Sequence, residues 1–182
     1  MSALELIANV ETSGTASVGW TSIPQTYKHL YFKGLLVAPS VGSYTAINIL
    51  LNQTASNGSN YISNAIGMTQ SAATAMEYGN TPAFAWSKNY PATNGSTGTG
   101  QNSGTVIEGW VSYYTLANND WGDVILAFKA SAKGGNGSGN TFLRWSMVEL
   151  EVVAALNAIQ FERVDGTYWQ TGSTISLYGL GS

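Results

Sequence analysis

Apolar and polar positions alternate with a period of two along most of this chain. Over residues 105–114 (TVIEGWVSYY), Ile107, Gly109, Val111 and Tyr113 fall on one side. In DVILAFKA, Val124, Leu126 and Phe128 oppose Ile125, Ala127 and Lys129. In TFLRWSMVELEV, Leu143, Trp145 and Met147 oppose Arg144, Ser146 and Val148. Side chains two apart share a face only in extended chain, so each segment predicts a β-strand. Similar patterns predict strands over residues 3–10, 27–37, 44–51, 83–87, 157–163 and 174–178. Each is rich in β-branched or aromatic residues and bounded by Gly, Asn, Ser or Pro.

Between them lie tracts that could not bury a core: NQTASNGSN, NYPATNGSTGTGQNSG and SAKGGNGSGN. The second, ending near Gly104, is long for a connection and predicts a surface excursion or contact arm. One segment competes for helix, SNAIGMTQSAATAMEYG, where Ala and Met could support a turn or two. About nine short strands, no repeat and no composition break predict one all-β domain over residues 1–182. The architecture expected is a single antiparallel β-sandwich, jelly-roll-like, with long Gly/Ser/Asn loops.

Composition changes the picture in one respect. Hydrophobic residues reach 44%, enough to fill a core, but charged residues are only 9%, against about 25% in an average soluble domain. The surface is therefore polar and nearly uncharged, and its contacts should respond weakly to salt. A net charge of −3, with seven scattered basic residues, gives no footprint for nucleic acid or an anionic membrane. With no Cys, disulfides and thiolate metal sites are excluded. The opening MSALELIANVETSG lacks the basic region and apolar stretch of a signal peptide, which fits synthesis and assembly in a bacterial cytoplasm.

Catalytic chemistry finds little purchase. The single histidine, His29, lies in a strand pattern among aromatic and basic neighbours, and no G-x-S-x-G occurs; a lone ring needs a nucleophile and an orienting partner. Glu149 and Glu151, two apart on a strand, would share a face about 7 Å apart. That separation suits an inverting glycosidase pair, but it equally suits a solvated sheet face, and nothing marks a cleft. NNDWGD gathers oxygen ligands but fails the calcium-loop spacing and reads as a hairpin turn. GGNGSGN has Asn140 where a dinucleotide fingerprint needs its third glycine. The sequence thus predicts no catalytic residue, no metal and no cofactor.

The six Trp and ten Tyr are the strongest feature. Aromatic residues fill cores and subunit interfaces, and exposed ones stack on sugar rings. Trp86, Tyr90, Tyr168 and Trp169 lie nearest the loops and are the candidate sugar-stacking residues.

Two stretches carry a resemblance. The opening IANVETSGTASVGWTSIPQTYKHLYFKGLL, with SIPQTYKHL at residues 22–30, and the ending NAIQFERVDGTYWQTGSTISLYGL are similar to a recurrent group of tailed-phage virion proteins. LLNQTASNGSNY at residues 50–61 looks like the Asn-rich middle element of that group. The motifs are structural, so the resemblance implies a virion component, a head decoration or tail-fibre protein, and carries no site residues. In strand terms, Ile175 and Leu177 should pack inward, Tyr178 should lie across a sheet edge, and Gly179 should let the backbone end sharply. Pro24 should fix a turn entering the strand at Tyr27.

The first and last strands lie within a few residues of the two ends, which favours a compact unit docking on a preformed lattice over a fibre with a shaft. The expected protein is therefore a non-enzymatic capsid decoration (cement) protein of the virion. Its expected partners are further copies of itself in a homotrimer and the major capsid protein. The alternative is a tail-fibre or receptor-binding module that grips a host glycan.

Overall fold

The computed structural model describes residues 4–12, 14–38, 44–45, 47–52, 61–69, 72–79, 93–94, 103–112, 114–115, 123–133, 141–151, 155–163, 166 and 168–181. Among these are thirteen strands: β1 (Glu5–Thr12), β2 (Ser17–Trp20), β3 (His29–Ala38), β4 (Tyr44–Thr45), β5 (Ile47–Leu51), β6 (Tyr61–Thr69), β7 (Ala72–Gly79), β8 (Thr93–Asn94), β9 (Ser103–Ser112), β10 (Asp123–Lys133), β11 (Thr141–Glu151), β12 (Ile159–Arg163) and β13 (Ser173–Leu180). No helix occurs among the described residues. The chain is an all-β antiparallel sandwich, as its periodicity predicts.

One sheet has eight strands in the order β1-β13-β3-β9-β10-β11-β6-β7; a second has three, β2-β12-β5; β4 and β8 form a small pair. The pairings nest. The first strand pairs with the last (Glu5 opposite Gly179), the second with the one before it (Trp20 opposite Ile159), and β3 with β9 (Phe32 opposite Gly109). β3 also pairs with β13, and β5 with β12, which joins the nested pairs into two sheets. Such nesting, a long hairpin wrapped over itself, is the jelly-roll arrangement. Beyond β9 the large sheet is extended by the β9–β10–β11 meander and the β6–β7 hairpin.

The core lies between the inner faces of the two sheets. β13 alternates without a break, with Ser173, Ile175, Leu177 and Gly179 buried and the residues between them partly exposed. β12 does the same with Ile159, Phe161 and Arg163. They meet Leu30, Phe32 and Leu36 of β3, Ile107 and Val111 of β9, Val18 and Trp20 of β2, and Ile47, Ile49 and Leu51 of β5 in one cluster. Phe161 sits at its centre, 5.4 Å from the Phe32 ring and edge-on to Trp20 at 6.4 Å. Burying such a side chain is worth about 1.5–3 kcal/mol, so the two sheets hold each other through these contacts.

Several expectations need correction. The segment with helical competition forms most of β6 and all of β7, because each strand finds a ladder partner and Gly67 and Gly79 weigh against helix. Tyr178 is not at a sheet edge: β13 is flanked by β1 and β3, and the Tyr178 ring lies on the outer face, 5.8 Å from Tyr31. Gly179 serves close packing rather than chain reversal. A Cβ there would come within 2.3 Å of the Tyr27 ring, and the left-handed residue is Gly181, at φ 73°. β2 lacked a strong sequence signal and precedes the strand that Pro24 introduces. The predicted strand at 83–87 lies outside the described residues, as do Tyr113 and most of the long Gly/Ser/Asn tract before Gly104; β8 falls within that tract.

Candidate binding face

The stretches that carry the phage resemblance converge on one another. The Ile23 amide donates to Asn157 O at 2.9 Å, and Gln25 Nε2 donates to Leu156 O at 2.9 Å and Ile23 O at 2.9 Å. The Tyr114 hydroxyl donates to Pro24 O, and burial raises this phenol above its ordinary pKa. Lys28 N donates to Gly181 O at 2.8 Å, beneath the Tyr27 ring that covers Gly179. A hydrogen bond to Glu5 raises the Tyr27 phenol, tying β1 into the same knot. Asn52, from the middle element, takes a left-handed conformation (φ 54°) and clamps the approach to β12. Its Oδ1 accepts from Asn157 N at 2.7 Å and Ala158 N at 3.3 Å, and its Nδ2 donates to Ala155 O at 3.2 Å. These residues satisfy buried backbone groups where the chain changes sheets. They are framework, not chemistry.

The outer face of the eight-stranded sheet is different. Register places Leu6, Tyr178, Tyr31 and Trp110 side by side across β1, β13, β3 and β9. The Tyr31 ring lies 4.7 Å from Trp110, tilted by 41°. The next row is polar, with Asn9, Ser176, Lys33 and Glu108, and the row beyond it carries Leu35 and Val106. Ser176 Oγ donates to Asn9 Oδ1 at 2.7 Å, and the Tyr31 hydroxyl donates to Glu108 Oε1 at 2.7 Å. Partial burial and the Glu108 carboxylate push the Tyr31 phenol up to about 12. Lys33 Nζ lies 5.7 Å from the Tyr178 ring centre. Leu6 is 56% exposed, Val106 51%, Trp110 41% and Leu35 39%. Four of the six exposed large hydrophobics among the described residues thus share one face.

The sequence-based stacking residues fare unevenly. Trp169 is fully buried: its indole N–H donates to Phe161 O at 3.0 Å and its ring lies 6.0 Å from the Arg163 guanidinium, so it is a core residue that no sugar can reach. Its place beside a turn hid this, because the short 168–170 segment tucks beneath β2 and β3 through Trp169 N to Thr15 O and Gln170 N to Val37 O, both 2.8 Å. Tyr168 is half exposed. Trp86 and Tyr90 lie outside the described residues. What sequence reasoning missed is the Tyr31–Trp110–Tyr178 strip. Period two already set Trp110 opposite Ile107, Gly109 and Val111; sandwich burial of the latter set turns Trp110 to solvent.

His29 opens β3, opposite Ser112, while Glu149 of β11 pairs with Ile125 of β10. Three strand spacings separate His29 from Glu149, roughly 14 Å, too far for one proton relay. Glu149 and Glu151 occupy alternate positions of β11, the latter opposite Asp123. Of the NNDWGD turn only Asp123 is described, and GGNGSGN lies outside. No group of three metal-ligating side chains occurs among the described residues. No helix long and apolar enough to cross a membrane occurs among the described residues, which says nothing of β-barrels. Compared with protein-family models, curated proteins and solved structures, the chain matches none of them.

Proposed function

We propose that the protein is a non-enzymatic structural component of a tailed-phage virion, a decoration (cement) protein seated on the outside of the head. The observation that carries this reading is the convergence of the two resembling stretches. SIPQTYKHL and GSTISLYGL are packed on each other by Tyr27 over Gly179 and by Lys28 N to Gly181 O. A motif that builds the framework of a sandwich fits a protein whose task is to hold a shape and present a surface.

A cement protein works by adding contacts across neighbouring shell subunits. Each contact can be weak, because several copies or several points of attachment multiply the effective affinity. The nearly uncharged surface makes such contacts with little charge desolvation and little dependence on salt. The partner is the major capsid protein of the same virion, and the place of action is the virion assembled in the bacterial cytoplasm.

A second reading, a receptor- or glycan-binding module of the phage tail, is favoured by the half-exposed ring of Tyr168. One experiment separates the two. Purified protein is mixed with shells that lack it and the mixture is sedimented. Saturable co-sedimentation, with a stoichiometry set by the number of shell subunits, is expected. Binding to tails or to cell-surface polysaccharide, with none to shells, would move the protein to the tail.

A further inference from the structure

We propose that the outer faces of β3 and β9 pair with the same faces of a second copy, about a two-fold axis parallel to the strands and midway between them. The argument is the order of side chains on that face. β3 presents Tyr31, Lys33 and Leu35; β9 presents, directly opposite, Trp110, Glu108 and Val106. A two-fold axis between the strands exchanges them. It sets Tyr31 over the second copy's Trp110, Lys33 over its Glu108 and Leu35 over its Val106, and each contact occurs twice. Ring meets ring, cation meets anion, and aliphatic meets aliphatic.

This is the self-complementarity that an isologous contact requires, in which residue i meets j and j meets i. It is not guaranteed by an apolar face as such. Had both charges of the polar row carried one sign, the same rotation would set like charges together and oppose pairing. The rings and aliphatic groups supply apolar area, with Trp110, Val106 and Leu35 already exposed. The charges do not enter the contact bare: Glu108 accepts from Tyr31, and Lys33 lies near the Tyr178 ring. That lowers the desolvation cost of covering them.

A glycan fits the face less well. It could stack on Trp110 and reach the polar row of Asn9, Ser176, Lys33 and Glu108, but the Leu35–Val106 row beyond offers its hydroxyls neither donor nor acceptor. The two-fold pair stands in place of the homotrimer expected in the sequence analysis. It stands apart from the virion reading: a protein that pairs in solution and ignores shells would leave this inference intact and sink the other.

Reciprocal charge reversal tests the pairing. By sedimentation equilibrium the wild-type protein should show about twice the 19.2 kDa chain mass, changing little with salt. Lys33→Glu sets two carboxylates together at both symmetric contacts, and Glu108→Lys sets two ammonium groups together; each variant alone should sediment at the single-chain mass. Mixed in equal amounts they should recover the doubled mass, because every contact between the two variants is again of opposite sign. No effect within one chain can produce that recovery. Val106→Lys should give single chains, and far-ultraviolet circular dichroism should show all variants folded. A wild-type protein that stays monomeric at the highest attainable concentration would overturn the proposal. So would a three-chain mass, a mixture that remains monomeric, or a wild-type monomer whose tryptophan fluorescence shifts on adding empty shells or cellohexaose.

Discussion

Replacing Trp169 gives the sharpest test of how the sandwich is closed. Its ring is fully buried against a core that includes Phe161, and its N–H reaches Phe161 O at 3.0 Å. Truncating a buried Trp to Ala costs about 3–5 kcal/mol, combining lost transfer energy with the cavity left behind. For a domain of this size each kcal/mol lowers Tm by about 2–4 °C, so Trp169→Ala should melt roughly 6–20 °C lower. Trp169→Phe keeps much of the apolar contact and removes the indole donor, at a net hydrogen-bond cost of about 1 kcal/mol plus a smaller cavity term. It should therefore fall between wild type and Ala. Guanidinium unfolding followed by far-ultraviolet circular dichroism reads both, with the midpoint expected to shift and the slope to hold. Tyr168→Ala, one residue away and half exposed, should change stability by no more than about 0.5 kcal/mol. If Trp169→Ala kept the wild-type midpoint, the 168–170 segment would not seal the core and the burial argument would be wrong.

Four further outcomes follow from the same geometry. Deleting residues 173–182 removes the strand that both β1 and β3 pair with, and no cooperative melting transition should remain. Gly179→Ala should destabilise by forcing its Cβ against the Tyr27 ring, and Tyr27→Ala in the same chain should relieve that clash, seen as non-additivity in a thermal-melt cycle. The Tyr31 phenol sits at about 12 against 10.0 for the ordinary group, so the folded state keeps a proton that the unfolded chain has released. This stabilisation is complete below about pH 10 and is lost as pH rises through about 12, and Tyr31→Phe should flatten that alkaline loss in urea midpoints. Glu149→Gln and Glu151→Gln should leave folding and shell binding unchanged, and a glycan-degrading activity abolished by either would revive an enzyme.

Much of the fold was legible because burial writes period two directly into the chain. β9, β12 and β13 show it most clearly: their inward positions are those that alternation selects, and the structure buries them. The failures share a cause. Residues 63–79 carry Ala and Met, whose intrinsic preference is helical, and only their ladder partners, β11 for β6 and β6 for β7, make them strands. Trp169 looked like a loop residue because its segment is held by bonds made far away in the chain, from Trp169 N to Thr15 O and from Gln170 N to Val37 O. The outer face was legible in principle, since Tyr31, Lys33 and Leu35 alternate with buried Leu30, Phe32 and Leu36. What alternation alone does not give is the partner strand, and hence that Lys33 meets Glu108 rather than another lysine.

The nested pairing has a consequence for the order of events during synthesis. β1 ends at Thr12, yet its ladder partner β13 does not begin until Ser173; at about 5–20 residues per second that wait is roughly 10–35 s. β3 waits as well for one of its two neighbours, with Leu30, Phe32 and Leu36 uncovered and a row of backbone groups unpaired. The β9–β10–β11 meander has no such delay, since each strand pairs with the next as it emerges. Folding should therefore begin with that meander and proceed backwards, with β1 docking last. A chaperone holding the nascent N-terminal third would act at the most exposed stage of that path.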